Sequence, residues 1–112
     1  MLNEKDVYYE ASQSEQATQI ILLSKAVALA YEGFDGPIYP SWEEIILAFN
    51  HRCEKNATLV LDEFPYLVYE DPSLPSTLQR IVDRRVIGGE GLRCNIVLCG
   101  FTAYDAEPYS RL

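Results

Sequence analysis

Basic residues are scarce in this sequence: nine Lys and Arg stand against seventeen Asp and Glu, giving a formal charge of -8. A chain that grips phosphate backbones needs clustered cations, and the tightest cluster here is Arg84-Arg85, so direct nucleic-acid binding is not expected. Cysteine and histidine are scarcer still. Cys53, Cys94 and Cys99 form no CxxC pair, and His51 stands alone, which leaves no zinc set. Cys94 and Cys99 lie five apart and cannot both face the same way on one strand. Unpaired thiols fit a reducing cytoplasm. The longest apolar-rich stretch, 20–31, is too short for a bilayer and is broken by Ser24 and Lys25. The opening MLNEKD lacks the basic-then-apolar layout of a secretory signal, so a cytoplasmic location without membrane contact is expected. Glycine is sparse too, and no G-x-x-x-x-G-K-[ST] occurs; Gly88-Gly89-Glu90-Gly91 has no following Lys-Ser/Thr and leads into a strand.

What is present reads as one small globular domain, with 48% apolar and 23% charged residues over 112 positions. Val7 to Ala11, rich in aromatic and β-branched side chains, reads as a strand. Apolar positions 17, 20, 21, 23, 27, 28 and 31 recur at helical spacing, which predicts a helix over about 15–31 with Ser14 as cap and Gly33 as left-handed stop. Ser41-Trp42-Glu43-Glu44 has the form of a capping box and opens a second helix over about 42–55, ended by Asn56. The run 57–61 is apolar without alternation, as expected of a strand buried on both faces of a parallel sheet. Residues 64–75, with three prolines, read as a connector. A third helix is expected over 75–86, with Pro75 in its first turn, and residues 95–99 read as another buried strand. Strands and helices alternate, so the predicted class is α/β: a small parallel three-stranded sheet with flanking helices. His51 reads as a surface or half-buried helix residue, since no nucleophile with a recognisable elbow accompanies it.

The feature with chemical content is Asp62-Glu63 at the end of TLVLDEF. Ligands of open parallel sheets sit beyond the carboxyl ends of the strands, and this acidic pair occupies that place. Two readings follow from the pattern itself. The pair could form a Walker B element, Asp62 holding a water on a nucleotide's Mg²⁺ and Glu63 polarising the attacking water. Equally, it could solvate the end of a buried strand.

Several stretches in order, DVYYEAS, YPSWEEI, LVLDEFPYL, DPSLPSTLQRIVD and NIVLCG, resemble the archaeal-type ATPases of the AAA+/STAND class of P-loop NTPases. The resemblance runs from Lys5 to Gly100. It implies a partial P-loop NTPase core over 1–112, from the second core strand through the sensor-1 strand. Asp62 would be the Mg²⁺-associated, nucleotide-side aspartate and Glu63 the catalytic base, with Mg²⁺ and ATP as the cofactors. Gln79 and Asp83 match family positions that support the catalytic strand, although a helix-surface hydrogen bond explains them as well. Arg84 and Arg85 could face a nucleotide or a neighbouring subunit, or simply offset the negative end of their helix. The family's phosphate loop precedes the strand matched by Val7 to Ala11, and Phe101 stands where the family's sensor strand usually carries serine. Hydrolysis by these 112 residues alone is therefore not expected. The expected partners are a second copy, paired through the 95–99 strand edge, or a separate segment bearing the phosphate loop.

Overall fold

The run Thr58–Asp62 forms the middle strand of the sheet, because its β-branched and leucine side chains suit an extended chain with hydrogen-bonded neighbours on both sides. The computed structural model describes residues 3–100 except 88 and 90, with 85–87 described as backbone. Its elements in order are β1 (Val7–Glu10), α1 (Gln16–Ala28), α2 (Trp42–Arg52), β2 (Thr58–Asp62), α3 (Phe64–Glu70), α4 (Leu74–Ile87) and β3 (Asn95–Leu98). The three strands are parallel, in the order β1-β2-β3. The predicted α/β class with a small three-stranded parallel sheet is the observed one.

Register decides which side chains share a face. Val7, Leu59 and Ile96 lie side by side, as do Tyr9, Leu61 and Leu98, and all six are buried. Their opposite neighbours are not: Tyr8, Val60 and Val97 form a row that is exposed or half-buried. The expectation that β2 and β3 are covered on both faces is thus corrected, because burial alternates along each strand. Topology supplies the reason. A right-handed crossover from β1 to β2 and another from β2 to β3 step in one direction, so both sets of helices land on one face.

That covered face carries the core. Ile20, Leu23 and Val27 of α1, Ile45, Ile46 and Phe49 of α2, and Leu74, Leu78 and Ile81 of α4 pack with the six strand residues. Ala17 and Ile21, expected on the inner stripe of α1, are exposed. The helix begins after Glu15 with no side-chain cap, so Ser14 does not serve, and it ends at Ala28. Tyr31 N-H then returns to Val27 O (2.9 Å) before Gly33 turns the chain at φ 85°. At α2, Glu44 N-H donates to Ser41 Oγ (3.3 Å), which is half of the expected capping box. The Glu44 carboxylate accepts from Ser41 Oγ (3.4 Å) rather than from the Ser41 backbone N-H that would complete the box. The helix ends at Arg52, earlier than expected, and His51 is exposed.

Two buried polar side chains fasten the loops. Asn50 Oδ1 accepts N-H bonds from Arg93 (2.8 Å) and Cys94 (3.3 Å), tying the approach to β3 onto α2. Gln19 accepts from the Tyr9 hydroxyl and donates to Ser12 O, which holds the turn after β1 against α1. Both satisfy groups that would otherwise be buried without partners.

Candidate functional site at the carboxyl ends of the strands

Three backbone bonds gather the strand ends. Ala11 N-H donates to Asp62 O (2.9 Å), Cys99 N-H to Leu61 O (3.1 Å) and Phe64 N-H to Cys99 O (2.8 Å). The last bond carries the ladder past β2 into the first residue of α3, so Asp62 and Glu63 sit at the junction of all three strands. The 64–75 segment expected as a connector therefore contains a helix. Phe64 and Leu67 are buried three residues apart, and Pro65 occupies the first turn, where its missing N-H costs nothing.

The two carboxylates are held differently. Asp62 Oδ1 accepts Glu63 N-H (2.8 Å), while Oδ2 accepts the hydroxyl of Tyr8 from the neighbouring strand. A carboxylate has about four acceptor positions, so Asp62 retains capacity for a further donor such as a metal-bound water. Glu63 lies in the left-handed region, φ 55° and ψ 39°, and its side chain makes no capping bond to α3. That backbone costs a non-glycine residue about 1–2 kcal/mol. The cost lets the chain turn from strand into helix within one residue, leaving the Glu63 side chain half-buried beside Asp62.

Tyr8 was not among the residues singled out by sequence. It lies two residues before the end of β1, and the pairing register puts it on the Asp62 side of the pleat. The hydrogen bond to Asp62, then desolvation and the nearby carboxylates, push its phenol from 10.0 up to about 12. Since the folded value exceeds the unfolded one, this contribution to stability is present below pH 10 and lost as pH rises toward 12. Asp62→Asn is expected to bring Tyr8 back toward 10, read by tyrosine-selective carbon-13 NMR during alkaline titration. An unchanged Tyr8 midpoint would contradict the contact. Cys99 completes the cluster. Burial first, then the Asp62 and Glu63 charges, push its thiol up, so it is a poor thiolate.

The supporting residues predicted from sequence are not brought into this cluster. Among the described residues, Gln79, Asp83 and Arg84 make no hydrogen bond or ion pair with Asp62 or Glu63. Gln79 Nε2 donates to Asp83 Oδ1 (3.0 Å) on an exposed face, the simpler of the two roles considered for them. Arg84 is exposed, and the Arg85 side chain lies outside the described residues, as do Phe101 and Thr102. Arg80 of α4 forms an ion pair with Glu43 of α2.

Beside the cluster a cleft of about 570 Å³ is lined by Gln13, Pro65, Tyr66, Tyr69 and Glu70, with no cation among them. Tyr66 is half-buried and Tyr69 is 82% exposed, so Tyr69 does not cover the strand end. Among the described residues no group of three or more His, Cys, Asp or Glu converges to cage a metal. A single carboxylate still suits Mg²⁺, which keeps most of its waters. No helix among the described residues is long and apolar enough to cross a membrane. The chain matches no family model, no curated protein and no solved structure in the three comparisons made.

Proposed function

We propose that Asp62 and Glu63 form the magnesium- and water-handling half of an ATP site in an AAA-type P-loop NTPase core. The observation that carries this reading is their placement: an Asp-Glu pair at the carboxyl end of the middle strand of a parallel sheet, turned through a left-handed Glu63. In this role Asp62 would hold a hydrated Mg²⁺ through one of its waters, the ion would supply charge stabilisation for phosphoryl transfer, and Glu63 would take a proton from the attacking water. Backbone N-H groups and a lysine that grip the triphosphate must come from a further segment, in the same polypeptide or another. The β3 edge, which has no pairing strand on its outer side among the described residues, offers that segment or a second copy a place to add.

Calorimetric titration with Mg-ATP tests the division of labour. The 112 residues are expected to give no micromolar binding, because two carboxylates without a phosphate cradle repel a polyanion. Micromolar binding that Asp62→Asn abolishes would show a complete site and overturn the half-site reading. A second reading, a protein-interaction module without catalysis, is favoured by the uncovered sheet face. It predicts a partner whose affinity is indifferent to nucleotide.

A further inference from the structure

An all-parallel sheet is almost always covered on both faces, and among the described residues helices cover only one face of this one. Three rows make up the bare side. Thr58 and Asn95 form a neutral polar row at the amino end, Tyr8, Val60 and Val97 an apolar row in the middle, and Glu10, Asp62 and Cys99 an acidic row at the carboxyl end. Tyr8 is 48% exposed, unusual for an aromatic residue on such a sheet. No Lys or Arg lies on any of the three strands.

We infer that this face is the docking surface for an amphipathic helix of a partner protein, with apolar residues over the middle row and Lys or Arg over Glu10 and Asp62. Helices are what cover parallel sheets, because a helix stripe matches the pleated apolar row. Charge complementarity selects the kind of helix. A basic end meets the acidic row, whereas an acidic or neutral end desolvates those carboxylates with no opposite charge to offset it. The same reasoning excludes a second copy seated face to face, which would bring Glu10 and Asp62 of one chain against the same row of the other, between chains of charge -8. Strands of four and five residues span roughly 13–17 Å, which corresponds to a helix contact of about 9–11 residues. The inference concerns the sheet face alone and requires no nucleotide.

The test uses two end-capped leucine-alanine peptides of about 14 residues, one with two lysines in its first turn and one with two glutamates there. Each is titrated into the protein and followed by backbone amide NMR. The lysine peptide is expected to shift Tyr8, Val60 and Val97, and the glutamate peptide to leave them unmoved. Tyr8→Asp and Val60→Asp are expected to weaken the lysine peptide about tenfold although both make the chain more acidic. Circular dichroism confirms that each variant is folded, and the exposed position of Tyr8 makes that variant the safer one. Equal or tighter binding by the Asp variants would reduce the effect to general charge attraction and overturn the inference. So would shifts centred on the exposed Ile21 and Leu22 of α1, or a dimer in light scattering that Tyr8→Asp dissolves.

Discussion

Phe64→Ala is expected to destabilise the protein by about 3–5 kcal/mol, the range for deleting a buried aromatic side chain from a core. Phe64 is 1% exposed and is the first residue of α3, where its N-H also reaches Cys99 O at 2.8 Å. The side chain thus fixes a seven-residue helix that is too short to stand without tertiary packing. Small domains are stable by about 5–15 kcal/mol, so the loss takes a large share of the total. Urea unfolding followed by circular dichroism measures it. The consequence for the site is specific. Once α3 loosens, nothing holds Glu63 in the left-handed region, and the amide bond from Glu63 to Asp62 Oδ1 should be lost with it. A loss below about 1 kcal/mol would mean that α3 is not anchored by this residue.

Glu63→Gly is expected to act in the opposite direction, stabilising the fold by about 0.5–1 kcal/mol relative to Glu63→Ala. Both variants remove the carboxylate, so the comparison isolates the backbone. Alanine at φ 55° retains the left-handed cost of about 1–2 kcal/mol, while glycine does not. Glycine returns part of that gain, about 0.4–1 kcal/mol, through the greater freedom of its unfolded chain. A residue held in a costly conformation that a glycine would relieve is the pattern of a position kept for its side chain. If Glu63→Gly proved less stable than Glu63→Ala, the strain would not be real, and one support for a functional Glu63 would fall.

The class was legible because TLVLD and NIVL are separated by helical periodicity, and alternation of that kind implies a parallel sheet. One-sided burial was not legible. Val60 and Val97 are apolar whether or not a helix covers them, so an uninterrupted apolar run carries no information about its second face. α3 was hidden by Pro65, Pro72 and Pro75, whose density resembles a loop. The first-turn position of Pro65 and the spacing of Phe64 and Leu67 were the signals that identify it. The acidic pair itself could be read directly, since its place at a strand end follows from the strand. Its surroundings could not. Tyr8 joins Asp62 across fifty-four positions of sequence, and only pairing register brings them together. Asn50 is similar: a helix asparagine reads as surface, yet it is 2% exposed because two loop amides need its oxygen.

Manganese relaxation in amide NMR spectra is the most direct test of the Asp62-Glu63 pair as a magnesium half-site. Mn²⁺ takes the same oxygen-rich, water-retaining coordination as Mg²⁺ and broadens resonances around wherever it sits. At substoichiometric Mn²⁺, the amides of Ala11, Ser12, Asp62, Glu63 and Gly100 should broaden first, excess Mg²⁺ should restore them, and Asp62→Asn should abolish the effect. Broadening spread over the acidic surface, or unchanged in Asp62→Asn, would contradict a magnesium role for the pair.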